Sequence, residues 1–409
     1  MEETRNADVL ILGAGPAGLR AALDCAGWGL RTLVVERKRE IGSPLQTSGA
    51  TWIGEIQKLG IPPAFCHRVD VVRFFSPNEE ARFRNSRAGI GVLDVKGMLQ
   101  FLAAQAIRRG ARLCAGTKVV RPIVSEQGVR GAVVQTPSGA LREITALVTI
   151  DATGFASVTA RHLFGFRGYR RYGMGVEYDL YAPRWPQQEL VLVAGTKEAP
   201  AGYGWIFPWG SGRVRAGVGV TVPEAAGADL FACLRRLLEE DARFSGRFKG
   251  SGCLEVHKGL IPDEVFPEDP AADGLLIIGD AAGQASALAG EGIRFAMEMG
   301  CLAAEAAAAA VREQSSRKEL LCRAHEKWNR RHGRSLRMAL EINRRMSGLS
   351  DEQWDTAVRY MRRLTDRQFL KFLKTDFTLG LFASILARNP GLIRRKLVRT
   401  ALRELRQRR

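Results

Sequence analysis

Three glycines, Gly13, Gly15 and Gly18, stand in G-x-G-x-x-G spacing between an apolar run, Val9 to Leu12, and a helical pattern carried by Leu19, Ala22, Leu23 and Ala26. Glycines so placed suit anion chemistry. The first makes a tight turn, the second lets a pyrophosphate approach the backbone, and the third lets helix and strand pack closely. A second apolar run, Thr32 to Val35, ends on Glu36, where a carboxylate can accept hydrogen bonds from both hydroxyls of an adenosine ribose. Strand, glycines, helix, strand and acid arrive in register, so the stretch Asp8–Glu36 reads as a dinucleotide site. A glycine-rich turn in an ordinary βαβ unit would leave Glu36 unexplained.

A second element of the same kind lies far along the chain, at Gly274 to Gly283 (GLLIIGDAAG). Its buried strand delivers Gly279 and Asp280 at the carboxyl end, where an open α/β sheet binds ligands. An aspartate there can reach a ribityl hydroxyl of a flavin. Ala289-Gly290-Glu291-Gly292-Ile293 then opens a long helix expected to end near Val311. Its amino terminus would favour negative charge on a reduced flavin ring. No second G-x-G-x-x-G lies between a strand and a helix, so a separate nicotinamide domain is not expected. The turn-rich loop Ile41 to Trp52 would lie near the isoalloxazine end of such a cofactor.

The elements between these two change character along the chain. Ile53–Leu59 and Val95–Arg108 read as helices; Val69–Phe75, Glu80–Arg84, Ala111–Cys114, Val119–Ser125, Val129–Gln135 and Ala146–Ile150 read as strands. From Tyr172 to Gly219 the pattern becomes period two and aromatic, as in antiparallel strands. Within it, AGYGWIFPWG places Tyr203, Trp205 and Phe207 on one strand face. Such a stripe can line a ligand or fill a core with large rings.

Composition bounds the rest. With 46% hydrophobic and 25% charged residues, 409 residues suffice for two or three domains. No apolar run reaches the roughly 18 residues of a spanning helix, and the acidic N-terminus runs straight into a strand, so no leader is expected. Seven cysteines without C-x-x-C spacing, and five histidines without ligand spacing, favour a reducing compartment and no metal. The net charge of +18 is concentrated: residues 311–409 hold 26 Lys and Arg against 10 Asp and Glu, leaving the remainder nearly neutral at 35 against 33. That quarter reads as helical. Its last segment puts Ile393, Leu397, Ala401 and Leu405 on one stripe among Arg394, Arg395, Lys396, Arg399, Arg403 and Arg406. Beside Phe369, Phe372, Phe377, Leu381 and Phe382, this fits either a packed helical cap with a solvated basic face or an interfacial helix pair on an anionic leaflet. Nothing in it matches a nucleic-acid module, and no nucleic acid is expected as a partner.

With GAGPAG, Glu36, DATG, YGWIFPWG, GLIP, GDAAG and GEGI in this order, the chain resembles the geranylgeranyl reductase family, flavoproteins sharing the p-hydroxybenzoate hydroxylase fold. The most discriminating piece is Tyr203-Gly204-Trp205-Ile206-Phe207-Pro208, similar to the family's Y-x-W-x-F-P over the substrate cavity. The resemblance implies an α/β (α+β) chain. Its parts would be a glutathione-reductase-type FAD-binding Rossmann domain (1–70, 95–160 and 260–312), an antiparallel-sheet substrate domain (71–94 and 161–259) and a basic helical C-terminal region (313–409). It implies FAD held by Gly13, Gly15, Ala17, Gly18, Glu36, Asp280, Gly292 and Ile293, with Ser48 and Gly49 beside the isoalloxazine and Val119 beside the adenine. Tyr203, Trp205 and Phe207 would line the substrate pocket. The implied activity is saturation of isolated C=C bonds in a prenyl-chain lipid by hydride from the reduced flavin. The implied partners are an external electron donor (NADPH or ferredoxin-like) and an anionic membrane surface, with the protein cytoplasmic and peripheral on the inner membrane face. Two positions depart from the family pattern: Pro44-Leu45-Gln46-Thr47-Ser48-Gly49 has no thiol where many members carry a cysteine, and Lys96 is the nearest cation to the usual arginine near residue 95. Two alternatives share the same motifs. One is a flavin-dependent monooxygenase or halogenase, the latter with a W-x-W-x-I-P stretch where this chain has Tyr203 and Phe207. The other is a non-catalytic, membrane-docked flavoprotein.

Overall fold

The computed structural model describes residues 6–86 and 89–389. The strand Asn6–Leu12 lies inside an eight-stranded sheet, parallel to Leu141–Asp151 on one side and to Thr32–Glu36 on the other. Leu275–Ile277 and Arg112–Ala115 extend the parallel set outward. Val9 to Leu12 are all fully buried because both faces are covered. Val9 and Ile11 face a layer of helices, Pro16–Gly27, Val95–Arg108, Ile293–Arg312 and Lys318–Trp328. Leu10 and Leu12 face the hairpin of Lys118–Ser125 and Gly128–Gln135. Burial on both faces is why this strand reads as a continuous apolar run and not as an alternation.

The second sheet has seven strands in the order Gly252–Pro262, Tyr172–Tyr181, Arg213–Val222, Ala199–Gly210, Glu189–Gly195, Val71–Phe75, Glu80–Arg84. Every pairing is antiparallel except that of Glu189–Gly195 with Val71–Phe75. One face packs on short helices after residue 229, including Leu230–Arg235, which the period-two pattern did not foretell. The edge strand Gly252–Pro262 was also unexpected: Cys253, Leu254 and Val256 are apolar but exposed or half-exposed, so no alternation marks it. A separate three-stranded sheet, Ala50–Trp52, Ile90–Leu93 and Cys66–Arg68, packs beside Ala199–Gly210 of the seven-stranded sheet.

The opposite face of the seven-stranded sheet is closed by the C-terminal helices. Trp354 and Val358 of Asp351–Met361, with Phe369 and Leu370 of Asp366–Leu373, are buried against Phe74, Phe83 and Leu192. Phe83 and Phe369 stack with ring centres 3.7 Å apart. Of the two readings of the tail, the described helices take the packed cap: Phe369, Phe377, Leu381 and Phe382 are buried in the protein's own core. The described part of the tail is a packed cap, in which Leu379 is half exposed. The basic stripe from Ile393 to Arg406 lies outside the described residues. Among the described residues no helix is long and apolar enough to cross a membrane.

Candidate active site

A single cavity of about 1170 Å³ runs between the carboxyl ends of the first sheet, the open face of the second and the C-terminal cap. This exceeds the usual range of about 300–1,000 Å³ for a small-ligand pocket, so it has room for a large cofactor and part of a second molecule.

At one end the glycine turn is built as its spacing requires. Gly13 follows the first strand with φ +107°. A Cβ there would meet the Ala152 carbonyl oxygen at 2.3 Å, and one on Gly18 would meet the Gly13 oxygen at 2.0 Å. Those two glycines let helix, turn and the DATG segment touch backbone to backbone. Gly15 is different: no atom of the described residues lies within 4 Å of a Cβ built on it, and it lines the cavity. The helix Pro16–Gly27 has no side-chain cap, so its first amides are left for another acceptor. The Glu36 carboxylate accepts from the backbone amides of Ala14 (2.7 Å) and Lys38 (2.8 Å), which fixes it at the rim of the second strand. Lys118 and Val119 line the wall beyond it.

The second glycine element meets the first. Gly279 packs so that a Cβ on it would lie 3.2 Å from the Ala17 methyl, and a Cβ on Gly292 would lie 3.2 Å from Asp280 Oδ1. Burial pushes the Asp280 carboxyl up to about 6, so a partner able to donate hydrogen bonds, such as a polyol, would stabilise its charged form. The helix Ile293–Arg312 opens on Gly292, again without a side-chain cap. Two uncapped helix ends, an open glycine, a fixed carboxylate and a half-buried carboxyl therefore share one cavity, a donor and acceptor set that fits FAD. Of the cofactor residues expected from sequence, Gly13, Gly15, Ala17, Glu36, Ser48, Val119, Asp280, Gly292 and Ile293 line that cavity, whereas Gly18 and Gly49 do not. Gly18 packs helix on turn. Gly49, at φ +82°, leaves room for Leu93, Val95 and the Arg215 guanidinium. Arg215, 1% exposed, donates through Nη1 to the carbonyls of Ser48 and Leu93, both at 2.9 Å, and so holds the loop in place.

At the other end Tyr203, Trp205 and Phe207 all line the cavity, with neighbouring ring centres 5.8 and 6.2 Å apart. The Tyr203 hydroxyl donates to the Ala289 carbonyl at 2.7 Å, tying the aromatic strand to the turn before Gly292. The Trp205 indole lies on a bed of three glycines from two neighbouring strands, Gly175, Gly217 and Gly219. Its Nε1 donates to Glu177 Oε2 at 2.6 Å. Phe74, Leu190 and Leu192 continue the same sheet face, and the facing wall, from the C-terminal cap, is apolar too: Trp354, Met361 and Phe369.

Sequence reasoning missed the C-terminal contribution to that wall and the polar groups behind the aromatic floor. Glu177, Asp179, Arg215 and His257 are all at least 97% buried. Asp179 pairs with Arg213 (3.0 Å) and lies 3.5 Å from Arg215. The only trace of them in sequence is polar residues on the inward-facing positions of period-two strands.

Comparison with known proteins agrees with this geometry. Residues 8–167 match the FAD dependent oxidoreductase family, and residues 173–260 match the geranylgeranyl reductase catalytic domain. A digeranylgeranylglycerophospholipid reductase of Methanothermobacter thermautotrophicus is 29% identical over 358 residues, covering 86% of this chain and 91% of the relative. Among solved structures, a geranylgeranyl bacteriochlorophyll reductase-like protein from Thermoplasma acidophilum superposes with a TM-score of 0.85 at 22% identity, covering 98% of this chain and 99% of the other. A flavin-dependent brominase superposes with a TM-score of 0.69 at 18% identity, covering 95% of this chain and 98% of the other.

Proposed function

Because the chain belongs to the geranylgeranyl reductase family of FAD-dependent oxidoreductases, we propose that it saturates isolated C=C bonds in the prenyl chain of a lipid. The observation that carries this reading is the continuity of one cavity from the nucleotide-binding turn to the aromatic strand and the apolar cap. Reduced FAD, when bound, supplies the hydride. In this reading Gly15 and Ala17 would receive the pyrophosphate, Glu36 the adenosine ribose and Asp280 the ribityl chain. Gly292 and Ile293 would present a positive helix end to the flavin ring, with Ser48 beside it. An unactivated alkene polarises little, so positioning and exclusion of water must supply most of the help. Trp205, held flat and hydrogen-bonded at its edge, and Tyr203 and Phe207 beside it, would align the chain.

Electrons would come from an external donor, NADPH or a ferredoxin-like protein. The basic C-terminal region would bring the cavity to an anionic membrane surface; its net charge and the half-exposed Leu379 support that contact. The brominase likeness makes oxygen chemistry the competing reading. Anaerobic incubation with a chemical reductant and a geranylgeranyl lipid, followed by mass spectrometry, separates the two. The expected product gains the mass of H2 per saturated bond. An unchanged lipid without air, together with a hydroxylated or halogenated product in air, would overturn the proposal.

A further inference from the structure

Reduction of an alkene consumes a proton as well as a hydride, and the loop Pro44–Gly49 carries neither a thiol nor an acid. Among the described residues, the cavity wall holds one histidine, His257, 3% exposed on the edge strand Gly252–Pro262. It stands directly opposite Glu177 in the strand register. Its Nδ1 lies 2.9 Å from Glu177 Oε1, and its Nε2 lies 3.0 Å from Glu255 Oε2. The two carboxylates differ sharply in surroundings: the Glu177 side chain is 4% exposed and lines the cavity, while that of Glu255 is 52% exposed. The imidazole thus bridges an acid in water and an acid in the cavity wall. Glu177 reaches the aromatic floor as well, through Trp205 Nε1.

We propose that Glu255, His257 and Glu177 form a proton relay from solvent to the cavity, and that each bond reduction draws its proton along it. This rests on the reductase reading above. One alkene carbon takes the hydride and the other takes H⁺ from the Glu177 carboxyl; the π bond breaks and two C–H bonds form. The lipid gains the two electrons that the donor loses. Glu177 is then reprotonated from Nδ1 of the His257 imidazolium, which leaves the neutral Nε2–H ring; that proton shifts to Nδ1 by tautomer exchange, and the freed Nε2 takes a new proton from solvent by way of Glu255. The electrostatics suit a shuttle. Burial, the largest single influence, and the Arg215 guanidinium disfavour the imidazolium, but the hydrogen bonds to Glu177 and Glu255 together with the Glu177 charge raise His257 above its ordinary value. The hydrogen bond to His257, with the charges of Arg213 and Lys96, holds Glu255 below the usual carboxylate range. Lys258 lines the same wall, and Asp179 lies on the strand of Glu177, two residues away.

The test uses the full-length, flavin-loaded protein. Without lipid, NMR titration of imidazole-labelled protein should place the His257 inflection above about 6.5. Glu177→Gln and Glu255→Gln should each move it to lower pH. With a geranylgeranyl lipid, His257→Gln should keep its flavin absorbance while alkene reduction slows roughly 10²-fold, the scale of general acid–base catalysis. If His257→Gln fails to fold, Glu255→Gln at the exposed end carries this arm: reduction should be slower and its alkaline limb should shift to lower pH. A His257 inflection indifferent to both carboxylates, or a wild-type rate and pH profile in the folded variants, overturns the relay. If the wild-type protein reduces no prenyl lipid at all, the functional reading falls, and the titration alone decides whether the three groups share a proton.

Discussion

Both sheets of this protein depend on glycines, but for different reasons. In the first sheet Gly13 and Gly18 let backbone meet backbone, with the Ala152 and Gly13 carbonyls where their side chains would be. In the second, Gly175, Gly217 and Gly219 make room for a side chain, the Trp205 indole. The first pair is five residues apart and works through one tight turn. The second set comes from two strands and is assembled by register, with Gly175 paired to Gly219 and Gly217 paired to both Glu177 and Trp205. Glycine at the cofactor end is a matter of chain geometry. At the aromatic end it makes a flat floor whose ring is held in place by what lies beneath and beside it.

The widest separation between the two sets should come from Gly13→Ala. The new methyl faces a backbone oxygen at 2.3 Å in a conformation L residues rarely adopt. Overpacking of about 1–3 kcal/mol then adds to backbone strain of about 1–3 kcal/mol. Thermal unfolding should show a large drop in midpoint together with loss of bound flavin, and a normal midpoint would break the distinction drawn here. Gly15→Asp sharpens it. No atom of the described residues lies within 4 Å of the new Cβ, so the unfolding midpoint without cofactor should stay near that of the wild type. The purified protein should nevertheless be colourless, because a carboxylate would stand where the phosphates approach the helix end. A yellow Gly15→Asp protein would mean that this glycine does not face a phosphate.

This difference also explains what could be read from the chain in advance. The nucleotide element is local: strand, Gly13 to Gly18, helix and Glu36 occupy fewer than thirty consecutive residues, and each carries its signal in spacing alone. The GDAAG turn and the helix after Gly292 are legible for the same reason, and Tyr203, Trp205 and Phe207 announce a shared face by period two. What lies around them is not local. Arg215 reaches the Ser48 carbonyl, Glu177 meets His257, and Phe369 stacks on Phe83 across separations that no periodicity encodes. The apolar side of the C-terminal helices was visible, but an amphipathic stripe is equally satisfied by a leaflet or by a protein wall. Only the packing of Trp354 and Phe369 on the second sheet distinguishes the two for the described helices.

The finest comparison lies within the second glycine set. A Cβ on Gly217 would meet Trp205 Cζ2 at 2.3 Å and the Val176 carbonyl oxygen at 2.6 Å, whereas on Gly219 the nearest atom is Trp205 Cζ3 at 3.2 Å. Gly217→Ala must therefore lift the indole from the sheet and lengthen or break its 2.6 Å bond to Glu177, while Gly219→Ala needs only a few tenths of an ångström. Neither position lies in the first sheet, so both variants should bind flavin as the wild type does. If Trp205 aligns the alkene, displacement on the ångström scale is enough to cost about 10²-fold in reduction rate. Gly217→Ala should then approach that loss, and Gly219→Ala should show a several-fold effect at most. Single-turnover oxidation of the reduced flavin by lipid, read beside tryptophan fluorescence, measures both the rate and the ring's surroundings. Equal rates in the two variants, with the fluorescence of Gly217→Ala clearly shifted, would make the indole a filler of the wall with no part in orienting the chain.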